Sequence, residues 1–205
     1  VLERVESGPR AGQVTIRRIS WCAGADPVLS AYGQDQRLVR FAAQLLGADE
    51  MNQLICQAHY KLPGDEVVFP WHQDSQHRGY GSPQWRDVNG RGSYVQTATA
   101  LDDVTPDNGP LLFLPGTGAT PHLGLQAGTP DELRAHGLEP DTAVPAVMTA
   151  GSVALFGPYT VHGSAPNRST VPRRVFINGF AYPGANSRVY PGEGAGRPVR
   201  LAADH

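Results

Sequence analysis

The spacing of apolar residues changes along the chain, and each change predicts an element. From Gln13 to Ile19 the run QVTIRRI is β-branched and partly alternating, which predicts a strand. Between Gln34 and Leu46 the interval lengthens. Leu38, Phe41, Ala42, Leu45 and Leu46 recur at helical spacing, and Gly47 supplies a stop. Alternation resumes from Asn52 to Leu62, where Leu54, Cys56, Ala58 and Tyr60 interleave with polar residues, and Pro63-Gly64-Asp65 marks a turn. Gly92 to Asp102 predicts another strand, and Asp107-Asn108-Gly109 is a hairpin-type turn signal. Pro110 to Pro115 is a short, fully apolar run of the kind buried between two sheets. Thr129 as N-cap with Pro130 at the first position predicts a short helix to His136. Ala146 to Phe156 and Arg174 to Tyr182 complete the strands.

Many strands with frequent turns and an early helix predict a mainly β fold, a double-stranded β-helix (jelly roll) with flanking helices. No repeat, low-complexity tract or linker interrupts the chain, so residues 1–205 are expected to form a single domain. A Rossmann arrangement is disfavoured, because strand-helix alternation and the G-x-G-x-x-G fingerprint are both absent.

Composition narrows the function classes. The 24 glycines and 18 prolines are spread through 205 residues, as turns between short strands require. A net charge of −2 gives no electrostatic support for nucleic-acid binding. No apolar stretch approaches the ~20 residues of a membrane span, and no signal peptide is visible, so a cytoplasmic location is expected. Cys22 and Cys56 are the only cysteines and are expected to be free thiols in a reducing compartment. The first residue is Val1, which leaves open that others precede it in the full protein.

The segment FPWHQDSQ carries the chemistry. His72 and Asp74 are two positions apart, so on a strand both side chains leave the same face. An imidazole and a carboxylate presented together suit adjacent positions on one divalent metal. A third ligand would complete a facial triad and leave open positions for other molecules. His162 follows an apolar strand that ends at Phe156, and Arg173-Arg174 enters the next strand. A fixed guanidinium is the bidentate partner that the far carboxylate of a dicarboxylic cosubstrate requires.

These motifs resemble the phytanoyl-CoA dioxygenase family of iron(II)/2-oxoglutarate oxygenases. The landmarks are HYKLP around Lys61, PWHQD around His72 and Asp74, DNGPLLFLPGT from Asp107, and HGSAPNRSTVPRR from His162 to Arg174. The resemblance implies iron(II) held by His72, Asp74 and His162, with 2-oxoglutarate and O2 as cosubstrates. It places the cosubstrate arginine at Arg173, with Arg174 as the rival; strand alternation lets only one of them face the site. Ser164 matches a serine that helps hold the same carboxylate, and Lys61 a position where some members put a basic residue. Thr99, on a flanking strand, is a further candidate contact for the 2-oxo acid. After LPGT, Gly118-Ala119 stands where the family commonly has a histidine, which removes any substrate inference from that loop.

The implied reaction hydroxylates an unactivated C–H of a small molecule, with release of succinate and CO2. Related halogenases replace the carboxylate ligand with a small residue, and Asp74 keeps that place filled. The primary substrate, the choice among hydroxylation, desaturation and ring closure, and the oligomeric state are not encoded legibly. Two other readings use the same residues. A metal-dependent hydrolase would need a general base, for which Glu66 is the only candidate. A non-catalytic jelly-roll module would hold an idle metal.

The long polar segment Ser75 to Gly92 reads either as a substrate wall or as a surface loop anchored by two aromatics, Tyr80 and Trp85. His77 joins Tyr80 and Trp85 as a candidate substrate contact, while His59, His122, His136 and His205 read as structural or exposed. Trp71, by alternation, faces the core opposite His72.

Overall fold

The computed structural model describes residues 2–64, 66–87, 90–185 and 196–203. Its strands in chain order are β1 (Leu2–Arg4), β2 (Val14–Ile16), β3 (Arg18–Ser20), β4 (Glu50–Lys61), β5 (Phe69–His72) and β6 (Tyr94–Ala100), followed by β7 (Leu111–Phe113), β8 (Val144–Pro145), β9 (Val153–Phe156), β10 (His162–Ser164), β11 (Arg173–Ala181) and β12 (Arg197–Arg200). The helices are α1 (Pro27–Tyr32), α2 (Gln36–Leu46) and α3 (Pro130–Ala135). The larger sheet runs β12-β4-β11-β6-β9, with β3 also on β4, and the smaller runs β5-β10-β7-β8. All their pairings are antiparallel. Residues of both sheets line one cavity, so the two sheets face each other as in a jelly roll.

Register decides which side chains reach that cavity, because directly opposed residues share a face. Val175 lies opposite His59 and Ala100, and Ile177 opposite Gln57 and Ala98. These rows point inward. Phe176, opposite Ala58 and Thr99, points outward to α1, where the Tyr32 ring lies 6.0 Å from that of Phe176. Both faces of β4 are therefore largely buried, and the polar residues between Leu54 and Tyr60 do not face solvent as simple alternation implies.

Helix α2 packs Val39, Ala42, Ala43 and Leu46 into a core cluster with Leu54, Val95 and Phe180 of the larger sheet. Each such aliphatic or phenyl side chain contributes about 1.5–3 kcal/mol when fully buried. Phe41 and Leu45, expected on this face, are 54% and 41% exposed. At about 100° per residue, Phe41 lies on the side opposite Val39, and small Ala42 and Ala43 occupy the contact instead. Asp35 caps the start through the Arg37 amide, and Gly47 ends the helix at φ 74°.

Other boundaries shift for local reasons. The strand expected from Gln13 to Ile19 divides at Arg17, β2 pairing with β1 and β3 with β4. The strand expected over Ala146 to Phe156 is only β9; Met148 makes an isolated bridge to Val104, and Gly151 at φ 89° turns the chain. Asp107-Asn108-Gly109 does not close a hairpin. It joins β6 to β7, which lie in different sheets, and Asn108 ties the loop to the Asp103 carbonyl and the Thr105 amide. Thr129 caps α3 as expected, accepting from the Glu132 amide. Cys22 and Cys56 are buried and unbridged. Among the described residues no helix is long and apolar enough to cross a membrane. Asp65 and His205 lie outside the described residues.

Candidate metal centre

Strand β5 ends at His72, and Asp74 opens a one-turn 3-10 helix, Asp74–His77. Gln73 between them is still extended (φ −110°, ψ 136°), so alternation survives to Asp74 even though the strand does not. Gln73 points the other way and is fully buried. It donates to the Tyr159 and Pro121 carbonyls and accepts from the Leu123 amide, which locks the register of the pair it separates. His162 opens β10 as the direct partner of His72. One potential ligand atom each from His72, Asp74 and His162 lies within 4.8 Å of the others.

Hydrogen bonds settle which atoms are offered. His72 Nδ1 is 2.8 Å from the Pro70 carbonyl, and His162 Nδ1 is 2.9 Å from that of Thr160. A carbonyl only accepts, so each Nδ1 carries the proton and each Nε2 presents its lone pair. Burial, then the neighbouring His162, pulls the His72 imidazole down to about 4, so it is neutral and able to ligate. Burial alone would raise the Asp74 carboxyl, but Arg78, His162, His72 and His77 together hold it below its ordinary value. Asp74 Oδ2 is buried and has no hydrogen-bond partner. Two Nε2 atoms and one unpartnered carboxylate oxygen are a donor set that fits a divalent iron ion.

A cavity of about 730 Å³ opens beside this cluster. Arg173 and Ser164 line it. Arg173 is 2% exposed, and its Nε and Nη2 donate to the Gly109 carbonyl at 3.0 and 2.7 Å. Burial pulls its guanidinium down to about 10, which leaves it charged at neutral pH. Ser164 Oγ is buried without a partner. Arg174 turns outward to a two-pronged ion pair with Asp102, at 2.6 and 2.9 Å.

Lys61 lies directly opposite Arg173 on β4 and is 1% exposed. Its ammonium donates to the Ala165 carbonyl and lies 5.6 Å from the Phe69 ring. Burial, then Arg173 and Arg17, pulls it down to about 6. It is not among the residues that line the cavity.

Thr99 is a correction. It sits on the outward row with Phe176, and its hydroxyl meets Tyr32 at 2.6 Å under α1. Tyr80 and Trp85 are also placed outside the cavity lining. Tyr80 stacks on His122 with centroids 4.0 Å apart, and both aromatics contact Tyr159, so they anchor the loop rather than face the site. The same loop does form a wall, through Gln76, His77, Arg78 and Gln84. His77 lies 5.6 Å from the His72 ring. Trp71 packs beside Leu114, Leu125, Leu133 and Val161, and it also contributes to the lining of the cavity that His72 faces.

His59 departs from expectation, because it lines the cavity with its Nε2 3.0 Å from Gln57 Oε1. Burial, then Arg18 and Arg173, pulls it down to about 3. Gln57, Gln96 and Gln126 add polar groups to a lining that also holds Ile55, Phe69, Leu111, Val175 and Ile177, and in which Asp74 is the sole carboxylate among the described residues. Glu66, the one candidate general base for hydrolysis, is exposed and outside the lining.

Comparison with known proteins places the chain among its relatives. The chain is similar to the ectoine dioxygenase of Bordetella parapertussis, 29% identical over 84% of this chain and 59% of that protein. It is likewise similar to the L-proline trans-4-hydroxylase of Streptomyces griseoviridis, 28% identical over 85% of this chain and 70% of that protein. The chain thus spans less than two thirds of the first relative's length. Among solved structures, EctD from S. alaskensis, with 2-oxoglutarate and 5-hydroxyectoine, superposes with a TM-score of 0.69 at 28% identity, over 89% of this chain and 61% of that one. The model of the phytanoyl-CoA dioxygenase (PhyH) family matches residues 7–175, which include all three clustered side chains and Arg173. The chain belongs to the phytanoyl-CoA dioxygenase family.

Proposed function

We propose that the protein is an iron(II)- and 2-oxoglutarate-dependent oxygenase that hydroxylates a small polar molecule, with its working parts in one oxygenase domain. The observation that carries this reading is the His72, Asp74 and His162 cluster opening into the cavity that Arg173 and Ser164 also line. His72 and His162 through Nε2, and Asp74 through Oδ2, would hold the iron. When bound, iron with 2-oxoglutarate and O2 supplies the oxidising power to hydroxylate an unactivated C–H, releasing succinate and CO2.

The chain's own residues supply the rest. Arg173 offers a charged donor set to the distal carboxylate of 2-oxoglutarate, and the unpartnered Ser164 Oγ adds a second donor. Lys61 backs this end of the cavity from the facing strand and adds positive potential when protonated. On the substrate side, Gln57, His59, Gln96 and His77 present hydrogen-bonding groups beside the apolar side chains of Ile55, Leu111 and Ile177. Such a mixed lining suits a compact solute with both hydrogen-bonding groups and apolar carbons. Ectoine and L-proline, named for two relatives, are of that kind. Asp74 keeps the carboxylate place filled, which favours hydroxylation over halogenation.

The test is succinate release with iron and 2-oxoglutarate, across a panel of cyclic and amino-acid-like solutes. The reading expects stoichiometric succinate and hydroxylated product with at least one solute, and none without iron or O2. Turnover that persists without 2-oxoglutarate would favour a hydrolase, and no succinate with any solute would favour a non-catalytic module.

A further inference from the structure

Arg78 follows the 3-10 turn that Asp74 opens. The turn brings Arg78 back toward Asp74, four positions earlier. Here Arg78 Nη2 stands 3.9 Å from Asp74 Oδ1, with the two side chains 9% and 5% exposed. Two further contacts fix the guanidinium. Its Cζ lies 4.8 Å from the centre of the Tyr94 ring, and Nη1 donates to the His77 carbonyl at 3.0 Å. Tyr94 is itself held, its hydroxyl donating to Gln96 Oε1 at 2.6 Å. Its ring fills the space above Gly179, where an added Cβ would fall 2.6 Å from two ring carbons. A line of contacts therefore runs from β11, through Tyr94 and Arg78, to one oxygen of Asp74. The other oxygen, Oδ2, is the buried atom without a partner.

A carboxylate can meet a divalent ion with one oxygen or with both. We propose that Arg78 is a positioning residue that favours the first mode, its charge drawing Oδ1 toward the guanidinium so that Oδ2 is the oxygen turned to the metal. The proposal rests on the metal-centre reading above and adds a residue to it. Positive charge near the site has two opposed effects: it orders the carboxylate, and it repels the incoming cation. Arg78 stands against the oxygen not offered to the metal, so ordering outweighs repulsion. Without it, Oδ1 loses the guanidinium that faces it, and the carboxylate is free to rotate.

The experiment is calorimetric titration of the metal-free protein with Co2+, in the wild type and in Arg78→Met, Arg78→Gln and Arg78→Lys, with no cosubstrate present. The visible spectrum of the Co2+ form reports the coordination, and thermal melting of the metal-free form reports the fold. Arg78→Met is expected to lose about 10-fold or more in Co2+ affinity, the usual size of an outer-ligand effect, and to shift the Co2+ bands. Arg78→Lys, which retains the charge, is expected to recover most of the affinity. Arg78→Gln gives the neutral comparison if the methionine variant does not fold. Wild-type affinity with an unchanged spectrum in the folded neutral variant overturns the proposal, and so does tighter binding. A wild type that binds no Co2+ overturns the metal-centre reading itself.

Discussion

Arg173 and Arg174 are neighbours with opposite fates, and the contrast is a direct consequence of the two-residue period of a strand. Arg173 is buried beside the cavity, and Arg174 is half-exposed against Asp102. Replacing Arg173 with alanine removes charge-assisted hydrogen bonds worth about 1.5–3 kcal/mol, so KM for 2-oxoglutarate should rise about 10- to 100-fold. Arg174→Ala should leave that KM unchanged and cost no more than about 1 kcal/mol of stability, as exposed ion pairs do. Asp74→Ala should lose metal binding and turnover by more than about 100-fold, beyond the range seen when only outer contacts are lost. Steady-state kinetics and metal titration check all three. At this scale the three clustered side chains were legible, because H-x-D followed by a distant His-Gly-Ser is a chemical pattern. Gln57, His59 and Gln96 were not. Both faces of β4 and β6 are buried, so no polarity contrast marks which row turns inward.

Among the elements, β4, β11 and the capped helices α2 and α3 were readable because they are long or have strong end signals. Helix α1 carries the signal Asp26-Pro27, and Asp26 accepts from the Val28 and Leu29 amides. At six residues it is too short to show a period. The three-residue β1 and the four-residue β12 fail for the same reason. The connection from β6 to β7 contains the one glycine on which the site leans most. Gly109 has φ 81°, and a Cβ there would lie 2.8 Å from both the Ala165 carbonyl oxygen and the Lys61 chain. Its own carbonyl is the acceptor that orients Arg173. Gly109→Ala should therefore destabilise the protein by about 1–3 kcal/mol and also raise KM for 2-oxoglutarate. Chemical denaturation and steady-state kinetics on the same variant separate the two effects. A stability loss with no change in KM would mean that the loop does not orient the arginine.

For the molecule as a whole, neutral buried bases link stability to pH. The folded-state values of His59 and Lys61, about 3 and about 6, lie below their ordinary values of 6.5 and 10.5. In each window the unfolded chain binds the proton and the folded one does not, so stability falls as pH falls. For Lys61 that window runs from pH 10.5 down to about 6, and for His59 from 6.5 down to about 3. The urea midpoint of the metal-free protein should climb between pH 6 and 9 instead of levelling off. The slope from Lys61 is at most about 1.4 kcal/mol per pH unit. Lys61→Met should flatten the climb above pH 6.5 and leave the acid limb, where His59 protonates, in place. None of this was visible in the sequence, where nothing marks the Lys61 side chain as buried.

His72 and His162 are facing residues on adjacent strands, so backbone pairing rather than the ion sets the distance between their rings. The entropic cost of bringing the imidazoles together is met when the sheet forms. The apoprotein should therefore behave as a rigid socket. Stripping the ion with a chelator should lower the melting temperature without unfolding the chain at ambient temperature. Restoring it should regain full occupancy on the timescale of diffusion, with no refolding phase in stopped-flow fluorescence.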